Sequence, residues 1–200
     1  MINRIAFSKP DSLFMTLRYK DLRSYLLTAA FVALSVFVPW LFHQFNLAGP
    51  TFLPMQLFVL IAGLLFGWRA GLLVGLFTPI ASYFISSLPA LNILPQVMVE
   101  VSSYGLIAGL LREKYHLRTM WALLGAIVGG RLALLTAISV LYFISGQSYS
   151  PMGTATTPLQ SLWTTVEQGW PGIALQLALI PAIVWLSGKL VARDLEGKKA

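Results

Sequence analysis

The sequence predicts an all-α, polytopic membrane protein in which six helices form one compact bundle. Long apolar runs recur along the chain, and hydrophobic residues make up 57% of the 200 residues while charged residues make up only 10%. A soluble domain carries about 25% charged residues, whereas about 20 apolar residues span a hydrocarbon core as a helix. An ordinary soluble globular domain is therefore excluded, and the lipid bilayer is the expected surrounding of the chain.

The elements follow one another with short connections. Residues 1–24 form a basic N-terminal segment, 25–190 a membrane domain and 191–200 a charged tail. The predicted crossings cover about residues 25–42, 52–67, 70–87, 92–111, 120–144 and 170–189. A partial surface helix is expected at 162–169, with Pro171 in the first turn of the last crossing and Pro181 kinking it.

Glycines recur at every fourth position around a short hinge, residues 68–70, between the second and third crossings. They stand at positions 63, 67, 71 and 75. Small residues at this spacing let helix backbones approach closely in lipid, where packing holds helices together. Close approach between helix backbones is therefore expected in this part of the chain.

The positions of Lys and Arg predict the orientation. Thirteen of the fourteen lie in the N-terminal segment, at 68–69, in 112–119, or from Lys189 at the end of the last crossing onward, whereas 43–51, 88–95 and 145–162 carry none. Cytoplasmic loops carry an excess of Lys and Arg. Both termini are therefore predicted to be cytoplasmic, and the net charge of +7 indicates membrane topology rather than a nucleic-acid partner.

Two opposite charges are predicted deep in the membrane. Arg131 lies about ten residues into the fifth crossing, roughly 15 Å from the cytoplasmic face, and Glu100 lies roughly 12 Å below the outer end of the fourth. Charged residues inside crossings are costly and by default indicate function. Two interpretations stay open: the charges form a salt bridge that only holds helices together, or one or both contact a polar ligand.

Polar side chains accompany these charges and converge on an expected cavity that is open to the outside. On the fourth crossing, an i, i+4 spacing keeps four polar residues on one face: Asn92, Gln96, Glu100 and Tyr104. The third crossing adds Thr78, Ser82 and Ser86. The candidate ligand contacts are Glu100, Arg131, Gln96, Asn92, Tyr104, Tyr142, Gln176 and Tyr83, of which Tyr83 is equally suited to an interfacial aromatic belt.

Several kinds of chemistry are not indicated. The chain has no cysteine, no Walker-type loop, no HExxH and no GxSxG motif. Two isolated histidines do not make a metal site or a catalytic triad. We therefore expect no catalytic residue, no resident metal and no cofactor, and uphill transport would draw on an ion gradient or a partner subunit.

Four stretches together carry a family resemblance. They are Leu53-Pro54-Met55-Gln56, LIAGLLFGWRAGLLVGLFTP, VEVSSYGLIAGLLR and WPGIALQLALIP. This pattern of Gly, Pro and small residues in a six-helix frame resembles the substrate-binding S components of energy-coupling factor (ECF) vitamin transporters, which belong to the ABC transporters. The likeness covers about residues 25–190.

The resemblance implies partners and a location. It implies a transmembrane coupling protein and two cytoplasmic ATPases in a prokaryotic plasma membrane. It also implies that the small face of the first helix, an Ala-x-x-x-Ala motif matched by Ala29 and Ala33, docks onto the coupling protein. Packing of these alanines within the chain is the alternative.

The resemblance places the ligand near the outer face, where Glu100 and Arg131 lie. It implies a small water-soluble vitamin or vitamin precursor. Arg131 would suit a ligand carboxylate or phosphate because its fork makes bidentate bonds, and Glu100 could accept from a ring N–H or a hydroxyl. The alternatives are a stand-alone secondary carrier or facilitator, a membrane-embedded lipid-modifying enzyme and a scaffold protein.

Overall fold

Six long helices account for most of the computed structural model, which describes residues 22–44, 49–146, 149–150, 153–154 and 157–197. In chain order they are α1 (Leu22–Gln44), α2 (Pro54–Phe66), α3 (Trp68–Ser86), α4 (Leu94–Glu113), α5 (Thr119–Ser145) and α6 (Pro158–Gly197). One helical turn, Gly49–Phe52, precedes α2, and the two-residue strands β1 (Tyr149–Ser150) and β2 (Gly153–Thr154) form an antiparallel pair. The predicted all-α class is confirmed for these residues; most of the basic segment, 1–21, lies outside them.

Four of the helices are long and apolar enough to cross a membrane. They are Trp68–Ser86, Leu94–Glu113, Thr119–Ile144 and Pro158–Ser187, and two shorter apolar helices cover Tyr25–Leu41 and Pro54–Phe66. The 13 residues of α2 extend about 20 Å, which is less than the roughly 30 Å of a hydrocarbon core. The chain is an α-helical membrane protein, and the count of six crossings with cytoplasmic termini stays a prediction.

The break between α2 and α3 falls on Gly67 and not on the predicted hinge at 68–70. Gly67 has φ 88° and ψ 176°, a conformation that is readily available only to glycine. At the start of α3, the Trp68 N–H donates to Oε2 of Glu113 at 3.2 Å. This carboxylate at the end of α4 therefore caps α3, where the helix dipole favours a negative charge.

The last helix differs most from the prediction. The expected surface helix at 162–169 and the crossing after it are one continuous helix of 40 residues. The placement of Pro171 in a first turn is wrong, because Pro171 and Pro181 both lie in the helix interior. Ser161 and Thr165 are only 0% and 5% exposed, so the first part of α6 packs into the bundle. The whole helix packs against α5 and against the turn before α2, and packing of this kind compensates for the hydrogen bond that an interior proline removes.

Glycines let α2, α3 and α4 pack backbone against backbone. A Cβ added to Gly63 would lie 2.5 Å from the carbonyl oxygen of Gly105, and one added to Gly105 would overlap the carbonyl of Gly71. A Cβ at Gly75 would lie 2.6 Å from the Cα of Ser102. The close approach predicted from the glycine spacing is confirmed for these contacts.

Helix α4 occupies the centre of the bundle. It packs against α2, α3 and α5, and the main core beside it includes the buried residues Leu60, Leu64, Leu123 and Ile180. Since α4 carries Glu100, this central position removes the carboxylate from lipid and places it between neighbouring helices.

Candidate ligand-binding site

Glu100 and Arg131 form a buried ion pair between α4 and α5. Arg131 Nη1 donates to Glu100 Oε1 at 2.7 Å, and the two residues are 4% and 7% exposed. The helices come close here because Gly130 leaves room for an aromatic ring: an added Cβ would lie 2.5 Å from Cδ1 of Tyr104. The prediction that the two charges lie at comparable depth on consecutive helices is confirmed by this direct contact.

The hydrogen bonds to the Glu100 carboxylate all converge on one oxygen. Oε1 accepts from Arg131 Nη1, from the Tyr104 hydroxyl at 2.9 Å and from Gln56 Nε2 at 3.4 Å. Oε2 accepts no hydrogen bond from the described residues. The carboxylate is thus held firmly on one side, and its second oxygen is available to another donor.

Arg131 uses only part of its hydrogen-bonding capacity. Within the described residues, its buried Nε and Nη2 atoms have no hydrogen-bond partner. Nη2 lies beside Gly169 of α6, where an added Cβ would be 3.3 Å from it. Leaving a buried donor unmatched costs about 1–3 kcal/mol and more for a charged group, so the pair is held at a cost that packing elsewhere must offset.

A cavity of about 440 Å³ lies beside Glu100. Its wall is built from the end of α1, the start of α2, the end of α3, the loop at 88–90 and the first turns of α4, with Thr165 from α6. These parts all belong to the end of the bundle where α1 joins α2 and α3 joins α4. The volume falls within the roughly 300–1,000 Å³ that small-molecule sites occupy.

The cavity wall is mostly apolar with a few polar groups. Trp40, Met55, Val97 and Val101 contribute apolar surface, and the polar members are Gln56, Ser82, Ser86, Glu100 and Thr165. Glu100 is the one ionisable side chain among the described residues of this wall. A pocket of this kind binds the apolar body of a ligand by contact and fixes its orientation through a small number of hydrogen bonds.

Part of the predicted ligand contacts, and of the polar residues predicted to line the cavity with them, comes together at this site. Tyr104 contacts Glu100, while Ser82 and Ser86 lie in the cavity wall. Gln96 and Gln176 are buried but lie outside the wall. Gln176 Nε2 donates to the carbonyl oxygen of Leu53 at 3.3 Å, and Leu53 itself lines the cavity, so Gln176 supports the wall from behind.

Three predicted contacts lie apart from the cavity. Asn92 is exposed on the turn before α4, because that helix begins at Leu94 and not at residue 92. Tyr83 and Tyr142 are half-buried, and each ring packs against the phenylalanine that follows it. None of the three belongs to the described cavity wall.

Most residues of the described wall were not selected from the sequence, and three of these carry a polar group or an aromatic ring that contributes to the site. Gln56 is an isolated amide in the first turn of an apolar helix, which is a signal that could have identified it. Trp40 is typical of an interfacial aromatic residue, and Thr165 lies in the segment predicted to be at the surface. Only the packing of α1, α2 and α6 around the cavity distinguishes them.

Three alanines of α1 face away from the bundle. Ala29 and Ala33 are exposed, as is Ala30, whereas Ser35 and Val36 are buried. Helix α1 packs against α2 and α3. The alanine face is therefore not used for packing among the described residues.

Fold and site together define a class: an α-helical membrane protein with a ligand-sized cavity beside a buried ion pair. Within that class, the family model for the substrate-specific component of ECF transporters matches residues 23–184. The chain belongs to this family, which confirms the resemblance found in the sequence. It is a substrate-binding subunit of a membrane transporter, in a family of transporter components and not of enzymes. No match was found among curated proteins or among solved structures.

Proposed function

We propose that this chain captures a small water-soluble vitamin or vitamin precursor at the outer face of a prokaryotic plasma membrane. A separate ATP-driven motor, made of a transmembrane coupling protein and two cytoplasmic ATPases, then drives its delivery inward. The observation that carries this proposal is the cavity beside Glu100, which joins apolar contact surface to a carboxylate held by three donors.

The sidedness of the cavity supports uptake from outside. The cavity lies at the end of the bundle that carries the connections near 43–51 and 88–95, which hold no Lys or Arg. The opposite end carries Arg69, Arg112, Lys114 and Arg118. Because positive loops are retained in the cytoplasm, the cavity is expected to face the outer side.

The exposed alanine face of α1 supports docking to a membrane partner. Ala29 and Ala33 lie one helical turn apart and are both exposed. Small residues at this spacing let another helix approach closely in lipid. We assign this face to the coupling protein, residues 25–190 to the membrane domain, and the basic segment 1–24 and the tail 191–200 to the cytoplasmic side.

The direct test is to identify what the protein carries when it is purified from cells. Mass spectrometry of the denatured wild-type protein should reveal one small molecule in near-stoichiometric amount. Ala90→Trp places a bulky side chain in the cavity wall and should abolish its retention. Ala182→Trp adds the same bulk at an exposed position outside the described wall and serves as the matched control.

Two outcomes would contradict the proposal. One is a wild-type protein that carries nothing and binds no component of a concentrated medium extract. The other is equal retention by the Ala90→Trp and Ala182→Trp variants, which would locate binding outside this cavity. Reconstitution in liposomes separates the motor-driven importer from a stand-alone carrier, because only the importer requires the ATPases and ATP for uptake.

A further inference from the structure

We infer that the ligand of this cavity is uncharged and that it donates an N–H or O–H hydrogen bond to Oε2 of Glu100. The inference rests on the proposed function of the cavity as the substrate site and adds the chemical class of the substrate. It selects neutral compounds with a donor beside an apolar ring over carboxylates, phosphates and amines.

The two oxygens of the Glu100 carboxylate are differently occupied. Oε1 already accepts from Arg131, Tyr104 and Gln56, whereas Oε2 accepts from none of the described residues. Glu100 is nevertheless 96% buried and belongs to the cavity wall. A hydrogen bond to this oxygen is electrostatically stronger beside a mostly apolar wall than in water, because the surrounding side chains lower the local dielectric constant.

The balance of charges disfavours an anionic ligand. In the described wall, Glu100 is the one ionisable side chain, so an anion in the cavity would meet a like charge first. Two unit charges 4 Å apart at an effective dielectric constant of 20 interact by about 4 kcal/mol, which corresponds to roughly a thousandfold in a binding constant. Arg131 offsets part of this repulsion. It does not belong to the described wall, however, and therefore donates no hydrogen bond to an anion in the cavity.

Arg131 is not placed to grip a ligand carboxylate. It does not belong to the described cavity wall; Nη1 is taken up by Glu100, and Nη2 lies beside Gly169. Its function within the site is therefore to neutralise Glu100. Since the pair is already neutral as a whole, a cationic ligand would add a net buried charge, and desolvation disfavours that too.

The other residues of the wall indicate the polarity and the size of the ligand. Trp40, Met55, Val97 and Val101 present apolar surface, and Ser82 and Thr165 offer hydroxyl groups. A cavity of about 440 Å³ accommodates a ring system with a few substituents. Aromatic carboxamides, lactams and hydroxylated heterocycles combine these properties.

The test compares four sets of fragments that share the same aromatic rings. The sets are primary carboxamides, the matching carboxylates, the matching N,N-dimethylamides and the matching aminomethyl compounds, all measured against the full-length protein in detergent by thermal shift and by ligand-observed NMR. Primary carboxamides should bind at least about tenfold more tightly than their partners, because only they combine neutrality with a donor. Binding that persists in Ala90→Trp lies outside the cavity and is not counted.

The outcomes separate this inference from the proposed function. Tighter binding by carboxylates or by amines, or equal binding by the dimethylamides, would overturn the inference and leave the cavity as a ligand site. If no set binds in the cavity, support is lost for the proposed function and with it for the inference.

A substitution at Glu100 should reverse the preference of the cavity for carboxamides over carboxylates. Loss of folding would weaken the binding of both and cannot produce this result. Glu100→Gln removes the negative charge from the wall and leaves Arg131 as an unneutralised buried cation. Carboxylate fragments should then bind at least about tenfold more tightly than to the wild type, while carboxamides weaken. Glu167→Gln, at an exposed position within α6, should change neither, and a Glu100→Gln variant that still rejects carboxylates would contradict the charge argument.

Discussion

Replacing Arg131 by methionine while Glu100 stays in place is expected to destabilise the folded protein strongly. Methionine preserves most of the length of the side chain but removes the cation that lies 2.7 Å from Glu100 Oε1. Breaking a buried ion pair by removing one partner costs about 3–5 kcal/mol, because it leaves an uncompensated charge. Tyr104 and Gln56 still donate to Oε1, and Glu100 touches the cavity, so the lower end of this range, about 3 kcal/mol, is the expected cost.

The double variant should recover most of this loss. Glu100→Gln combined with Arg131→Met removes both charges, and replacing a buried pair by neutral groups of similar volume is often nearly neutral. Glu100→Gln alone leaves Arg131 uncompensated and should cost about as much as Arg131→Met alone. The double variant should thus be destabilised by at least about 2 kcal/mol less than the sum of the two single variants.

The assay is thermal unfolding in detergent, followed by tryptophan fluorescence and, independently, by the fraction of protein that stays monodisperse. A change of 1 kcal/mol shifts Tm by about 2–4 °C for a chain of 150–250 residues. Arg131→Met should accordingly lower Tm by about 6–12 °C, and the double variant should return to within a few degrees of the wild type. Additive losses, or an Arg131→Met variant as stable as the exposed control Glu167→Gln, would refute the reasoning that the two charges compensate each other.

Three further predictions follow from the packing. Gly105→Ala should prevent recovery of folded protein, because its Cβ would overlap a backbone carbonyl, whereas Gly125→Ala meets only the flexible end of a leucine and should be tolerated; equal yields in size-exclusion chromatography would contradict this. Ala33→Trp should leave ligand retention intact but abolish co-purification with the motor, while Val128→Trp, also exposed on the bundle, should not; a complex that survives Ala33→Trp would remove α1 from the interface. Trp40→Ala should weaken ligand binding by about 1–3 kcal/mol and Trp40→Phe by much less, and identical affinities by calorimetry would exclude Trp40 from the contact surface.

Much of the fold could be predicted from the sequence because the bilayer places a few strong constraints on a chain that crosses it. Runs of apolar residues long enough to span lipid indicate helices, and the glycine spacing indicates which of them approach closely. Gly63, Gly71 and Gly75 show this contact in the structure. The helical pattern gave no warning that Gly67 would end a helix or that α6 would continue through Pro171, because both depend on what packs against the chain at those points.

Only part of the site could be predicted from the sequence, for a related reason. Charges in an apolar segment stand out, so Glu100 and Arg131 were identified from the sequence, and the i, i+4 spacing added Tyr104. The same spacing also selected Asn92, which lies before the helix, and gave no reason to select Gln56 or Thr165. A periodicity tells which residues share a face of one helix, but it does not tell which faces of other helices meet it.

The sequence by itself determined that this is a helical membrane protein, that two opposite charges are buried in it and that it is an ECF transporter S component. These properties depend on composition, on the order of apolar segments and on family motifs. All three are features of the linear sequence and do not require knowledge of how the helices pack. Only the tertiary structure decided that Glu100 turns one oxygen to three donors while it also belongs to the cavity wall, and that Arg131 lies outside that wall. Which atom meets a cavity depends on the side chains that several helices bring together in space, and the spacing of residues along one helix does not contain that information.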